Sequence, residues 1–310
     1  MRAEFINEVC GALKIESKDI VEKDMILHEL LHDLSKNNFF SDNYLFKGGT
    51  CLTKHYLGYF RFSEDIDFTW MNQGLFEQMS KHEIRRYISP VIGKTGVLLE
   101  EISQKRKLDF RCQKDNRRYI ELVGGNRTAT FKVWYNSEIL GRESFIKLQV
   151  NYFDRLFYKP VKGQLRSIIS DKDTKKISLL FPEYKEYTQL ITLNLYDIRE
   201  IYAEKVRAIL TRKGTKARDY VDIYMMSKNR YIDAKELEDV IAGKVEYMLK
   251  NYERYRRNFK EKKKSLNSGE EFSLGHEKNL LILQLDTVDF SNFVKDFTIF
   301  LKGIAEKIDG

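Results

Sequence analysis

Lys47-Gly48-Gly49-Thr50, followed by Arg61-Phe62-Ser63-Glu64-Asp65-Ile66-Asp67-Phe68-Thr69-Trp70, is the stretch on which the fold turns. Polar and apolar side chains alternate from Asp65 to Trp70, which is strand periodicity. Residues i and i+2 of a strand face the same side, so Asp65 and Asp67 present two carboxylates together, about 7 Å apart. Such an oxygen site suits a hard divalent cation such as magnesium and leaves positions for substrate phosphates. Two ions held this way stabilise the attacking and leaving oxygens of an in-line displacement. Gly48 and Gly49 let the backbone approach phosphate oxygens closely. A helix opening at Thr50 would aim free N–H groups at the same anion. Thr50 adds a hydroxyl, and Lys54, one turn along, is placed to reach the same anion, so Gly48, Gly49, Thr50 and Lys54 are the candidate nucleotide-binding residues. Each signal alone is weak: an Asp-x-Asp alternating with Ile66 and Phe68 is also what a half-buried strand with solvated acids shows.

Upstream, Tyr44-Leu45-Phe46 reads as a short strand. Asp19-x-x-Glu22 has the form of a capping box, opening a helix with Leu27, Leu30, Leu31 and Leu34 on one stripe. Downstream, about 80–92 reads as helix and 107–153 as strands, with Gly124-Gly125-Asn126 as a hairpin turn. The region 160–190 is mixed. Beyond it the pattern predicts helices opening at Asp197 and over 218–227, 234–264 and 290–308. The fold class is therefore α+β, with a domain over 1–190 and a helical C-terminal domain over 191–310.

The helix opening at Asp197 places Ile198, Ile201, Lys205, Ala208 and Ile209 on one face, so Lys205 interrupts an apolar stripe. A lysine snorkelling at the core edge explains that pattern as well as one aimed at a triphosphate. Asp219 and Asp222 share a helix face with Met226, where carboxylates are costly unless paired or metal-bound. Arg212 and Arg218 are the candidate structural partners.

Taken together, the Lys47–Tyr56 and Arg61–Phe68 strings resemble the AbiEii/AbiGii-toxin nucleotidyltransferases of the DNA polymerase beta superfamily. The resemblance resumes at Glu204-Lys205 and at Lys216-Ala217-Arg218-Asp219-Tyr220-Val221-Asp222-Ile223. It implies a polymerase-beta-like core with a mixed sheet, followed by a helical C-terminal domain. It implies that Asp65 and Asp67 bind metal, with two Mg2+ ions expected. By the same resemblance Gly48, Gly49 and Thr50 line the triphosphate of an NTP substrate, and Lys205, Asp219 and Asp222 from the C-terminal domain complete the cleft. The activity implied is transfer of a nucleoside monophosphate to RNA, with tRNA the favoured acceptor. Members of the family are toxins of toxin–antitoxin and abortive-infection systems, so an antitoxin partner and a role in phage defence or growth arrest are implied too.

One departure stands out. Many polymerase-beta-like enzymes carry a third carboxylate on a later strand, and the natural candidate, Phe145–Tyr152, offers Gln149 and Asn151. An amide cannot deprotonate an attacking hydroxyl. The general base stays open between Asp219, Asp222, one of the paired acids and Asp154. Two rival readings follow: nucleotidylation of a protein side chain on the same fold, and a non-catalytic module that binds nucleotide or RNA.

The remaining signals bound these readings. The 310 residues carry 54 basic and 46 acidic side chains, a net charge of +8 that permits a polyanionic partner without demanding one. Lys250–Lys264 is basic with interleaved Tyr252, Tyr255 and Phe259, and Arg254, Arg256, Arg257 and Lys260 are its weak RNA-binding candidates beside the plainer reading of a solvated helix face. A charged stretch over 265–271 follows it. His28-Glu29-Leu30-Leu31-His32 matches the zincin pattern, but Leu30 and Leu31 belong to the apolar stripe and no third ligand follows. Cys10, Cys51 and Cys112 are too few and too scattered for a disulfide framework or zinc ribbon. No apolar run reaches the length of a membrane span, so the sequence predicts a cytoplasmic protein without membrane contact.

Overall fold

The computed structural model describes residues 2–170, 175–229, 232–268 and 280–308. The chain divides into two compact units, one of Met1–Asp154 with Pro160–Tyr196, the other of Arg155–Lys159 with Asp197–Gly310.

In the first unit the helices α1 (Arg2–Leu13), α2 (Lys18–Ser35) and α3 (Asn38–Asn43) lead into β1 (Tyr44–Lys47). The short helix α4 (Gly48–Cys51) runs on as a π-helical turn over Leu52–Tyr56 and is followed by β2 (Asp65–Trp70). Then come α5 (Lys81–Arg106), β3 (Ile120–Val123), β4 (Thr128–Asn136), β5 (Glu143–Asn151), β6 (Val161–Leu165), α6 (Lys175–Leu180) and β7 (Ile191–Leu195). The seven strands form one mixed sheet in the order β3-β4-β5-β2-β1-β7-β6, with β2 parallel to β5, β1 parallel to β7, and the other neighbours antiparallel. The fold is α+β. One sheet face is apolar: Tyr44, Phe46, Phe68, Leu148 and Phe131 are buried there. Phe40 of α3 stacks on Tyr44 at 4.3 Å, and the Tyr44 hydroxyl bonds Thr95 of α5 at 2.6 Å. Burying such a large side chain stabilises by about 1.5–3 kcal/mol, so this face anchors the sheet. The opposite face carries Lys47, Asp65, Asp67, Lys147 and Gln149, as the period of two requires.

The second unit is helical: α7 (Ile198–Thr211), α8 (Ala217–Lys228), α9 (Glu238–Asn251), α10 (Glu253–Ser268) and α11 (Thr287–Lys307). Asp197 caps α7 by accepting from the Arg199 N–H. The segment Arg155–Lys159 is bound to this unit through buried Glu200, which accepts the N–H groups of Phe157 and Tyr158 at 2.9 Å and pairs with Lys244 at 2.5 Å.

Several local expectations are corrected. The pattern at Asp19 and Glu22 is not a capping box: α2 begins after Ser17, and fully buried Glu22 instead accepts from the Ser137 hydroxyl and the Glu138 N–H. The helix expected over 80–92 extends to Arg106, opened by a true capping box of Ser80 and Glu83. Residues 107–119 form no strand beyond a single bridge between Asp109 and Trp134. The long helix expected over 234–264 is broken at Tyr252, whose backbone is extended (φ −140°, ψ 112°). The hairpin stands where it was expected, with Gly124, Gly125 and Asn126 all at positive φ. The two histidines of the zincin-like string, His28 and His32, sit on α2 facing the segment that carries Gln189. Both are buried against Gln189, whose carbonyl oxygen lies 3.3 Å from His28 Nε2 and whose Oε1 lies 3.2 Å from His32 Nε2. Burial pushes the His28 pKa well down. From residue 269 on, the charged stretch over 265–271 lies outside the described residues.

Candidate active site

The antiparallel register of β1 and β2 sets Lys47 opposite Asp67, and Gly48 follows at once. Gly48 has φ +78°, a conformation that lets the chain turn from strand into helix and that a side chain would strain. A Cβ there would stand 2.6 Å from Asp67 Oδ2, so glycine is what leaves room for the carboxylate. A Cβ on Gly49 would meet the Arg61 guanidinium at 2.3 Å. Gly48, Gly49, Asp65 and Asp67 are thus brought together, and all four are half-exposed.

Thr50 and Lys54 are placed otherwise than the sequence suggests. The Thr50 hydroxyl is buried, bonded to the Ser63 hydroxyl at 2.8 Å and donating to the Asp65 carbonyl, so it pins the turn to β2. The Lys54 ammonium lies 2.8 Å from Asp24 and 2.5 Å from the Tyr59 hydroxyl, and is 1% exposed. Burial lowers its pKa, opposed by Asp24. Tyr187 completes this interior network by donating to Asp24 at 2.8 Å.

Three residues beside the turn carried no assigned role in the sequence. Arg61, 2% exposed, packs its guanidinium under Gly49 and donates to the Phe62 carbonyl at 2.6 Å. Ser63 braces Thr50. Lys47 is buried 3.6 Å from Asp154, with its ammonium 5.2 Å from the centre of the Tyr196 ring. The signal for Arg61 and Ser63 was their place within the string that ends in Asp-Ile-Asp. Asp154 is buried and bound to the Tyr196 hydroxyl and the Asn151 amide, each at 3.2 Å.

The parallel register of β5 puts Lys147 beside Asp65 and Gln149 beside Asp67. The position where a third carboxylate is usual thus holds an amide. Among the described residues no group of three or more His, Cys, Asp or Glu side chains could hold a metal. The donor set of two half-exposed carboxylates on one strand face still fits magnesium, which is commonly held by one or two carboxylates together with substrate phosphates and water. The cradle that a Cβ at Gly48 would fill supports that fit, because no side chain of residue 48 crowds the Asp67 carboxylate.

In the second unit Lys205 lies 3.1 Å from Asp219 and 2.5 Å from Asp222, and Arg212 lies 2.6 Å from Asp219. All but Arg212 are buried. Burial opposes ionisation of Asp219, but the Lys205 and Arg212 cations overcome it and hold its pKa down at about 2. Arg254, Arg256, Arg257 and Lys260 are all exposed on α10, whose Phe259 is buried.

Residues 29–304 match the family model described as "Nucleotidyl transferase AbiEii toxin, Type IV TA system". No curated protein matches the chain. Among solved structures the chain is similar to JHP933 from Helicobacter pylori, with 15% identity, a TM-score of 0.45, and coverage of 94% of this chain and 95% of that one. It is similar to a second H. pylori protein, assigned provisionally to the nucleotidyltransferases, with 16% identity, a TM-score of 0.45, and coverage of 95% and 100%. Likenesses this distant say nothing of activity. Among the described residues no helix is long and apolar enough to cross a membrane.

Proposed function

Since the chain belongs to the AbiEii family of nucleotidyltransferase toxins, we propose that it transfers a nucleoside monophosphate from an NTP to RNA, with tRNA the favoured acceptor. Asp65 and Asp67 would hold Mg2+, two ions at full occupancy. An antitoxin protein would restrain the enzyme, whose setting is phage defence or growth arrest. The observation that carries this reading is the pair of half-exposed carboxylates on one face of β2, one of them against the side-chain-free wall of Gly48.

The acceptor hydroxyl oxygen attacks the α-phosphorus and forms a new P–O bond. The bond from the α-phosphorus to the β-bridging oxygen breaks, and pyrophosphate leaves with that electron pair. Bound magnesium supplies Lewis-acid stabilisation of the phosphate charge. The chain's own residues do the positioning: Gly48 and Gly49 keep backbone rather than side chain at the phosphates, while Thr50, Ser63 and Arg61 hold the turn in shape. Gln149 cannot take the acceptor's proton. Asp219, with a pKa of about 2, is too weak a base for the task, and Asp154 is buried and already bonded. The proton acceptor then lies between Asp222 and the β2 carboxylates.

Lys205 with Asp219 and Asp222 belongs to this reading as a supported cation that neutralises charge, and Lys205→Met tests whether transfer needs it. The decisive experiment incubates the protein with each labelled NTP, Mg2+ and total RNA. RNase-sensitive label that vanishes in Asp65→Asn with Asp67→Asn is the expected result. Label that survives in that double variant refutes the site, and RNase-resistant label on protein refutes the acceptor.

A further inference from the structure

Beyond Asp65 the polar sheet face carries an ordered set of side chains for which the transfer chemistry has no use. Lys132 of β4 pairs in register with Lys147 of β5, which pairs with Asp65 of β2. Two residues along, Trp134 pairs with Phe145, and their ring centroids are 4.8 Å apart. Register partners share a face, so a lysine rung ends in Asp65 and an aromatic rung lies about 7 Å further along the strands. All of these side chains are half-exposed.

The edge of this face is basic. Residues 105–118 (KRKLDFRCQKDNRR) hold seven basic and two acidic side chains. Of this segment Arg117 and Arg118 lie against β4 on the same face: the Trp134 indole donates to the Arg118 carbonyl at 2.9 Å, and Lys132 donates to the Arg117 carbonyl at 3.2 Å, whereas Lys105 and Arg106 pair with Asp33, Arg106 also pairs with Glu186, and Lys114 bonds the Ser89 carbonyl. The Arg118 guanidinium lies 4.2 Å from the Trp134 ring centre, paired with Asp109 and Glu143, and Lys132 is paired with Glu121. Among the described residues no hydrogen bond or ion pair takes up the Lys147 ammonium or the exposed Arg117 guanidinium.

We propose that this face is the track for the single-stranded end of the acceptor RNA, with Lys147 and Arg117 on phosphates and the Phe145–Trp134 pair receiving a base. The inference rests on the reading of nucleotidyl transfer to RNA. Three properties together favour RNA over an acidic peptide. Cations without partners stand one rung from flat aromatic surface, stacking accepts any base, and the row leads directly to Asp65.

The test measures binding of a fluorescent twelve-nucleotide oligouridylate by the full chain, without NTP or divalent metal, across a salt series. Lys147→Glu with Arg117→Glu should weaken binding at least tenfold and flatten the log–log salt slope by about 1.4, the loss of two single-strand phosphate contacts. Phe145→Ala should weaken binding about tenfold with the slope unchanged. Lys147→Ala, a gentler change, should weaken it in the same direction, and circular dichroism confirms that each variant is folded. Equal binding and equal slope for wild type and the charge-reversed variant overturn the track, as does a wild type that binds no oligoribonucleotide. A protein that binds RNA along this face but transfers nothing keeps the track and removes the activity. Transfer to RNA that ignores all these substitutions does the reverse.

Discussion

Two sets of carboxylates occupy this molecule, and they differ in what surrounds them. Asp65 and Asp67 are half-buried beside a glycine turn, where the proposed reading has them hold a cation. Asp219 and Asp222 are buried, and their cations, Lys205 and Arg212, are already built in. A buried acid with its own lysine is satisfied at rest, whereas the β2 pair stands half-buried at the glycine turn. Sequence motifs alone group the two sets; their environments separate them.

The sharpest way to break this comparison is to neutralise one set at a time. Asp67→Asn should lower nucleotidyl transfer on the order of 10³-fold, because it removes one of the two carboxylates proposed to hold the metal. It should change stability by about 1 kcal/mol or less, as expected for a half-exposed position. Labelled transfer and urea unfolding measure the two effects. Asp222→Ala should do the opposite: it leaves Lys205 buried beside a single carboxylate and should cost about 3–5 kcal/mol in urea unfolding. A stable Asp222→Ala protein that has lost only activity would place Asp222 with the β2 pair and erase the distinction.

Gly48→Ala sharpens the first half of the comparison. The left-handed backbone and the 2.6 Å approach to Asp67 both resist a methyl group. The substitution should cost about 1–2 kcal/mol in stability and, by displacing the carboxylate, about 10²-fold in transfer. A Gly48→Ala enzyme with full activity would show that the turn and the acids work independently.

What the sequence discloses follows from the range of each interaction. The facing of Asp65 and Asp67 depends on a period of two within six residues, so it is legible locally. The αL turn at Gly124–Asn126 and the helix cap at Asp197 are equally local. The fates of Lys54 and Thr50 are not. Lys54 is claimed by Asp24 and Tyr59, with Tyr187 joining from a remote segment, and Thr50 by Ser63 and the Asp65 carbonyl. No spacing rule near the glycine turn reveals those partners. Glu22 shows the same limit: its offset from Asp19 mimics a cap, but burial against Ser137 and Glu138 decides its role. Gln149 was readable as an amide, but its place directly beside Asp67 depends on the parallel pairing of β2 with β5, which only the assembled sheet sets.

The smallest effect concerns acid. The Asp219 pKa is lowered to about 2 from an ordinary 3.8, so the folded state favours its ionised form. A depressed carboxyl contributes stability that is fully present above the unfolded value and is lost as pH falls through the folded one. For Asp219 that window runs from about pH 4 down to about pH 2, and the amount at stake is on the order of 2 kcal/mol. Asp219→Asn should lack that loss, so its urea-derived stability should fall less steeply than wild type across the window. Parallel curves for the two proteins would mean that Lys205 and Arg212 do not hold Asp219 ionised, and the contrast between a pre-neutralised cluster and the proposed metal site on β2 would lose its electrostatic basis.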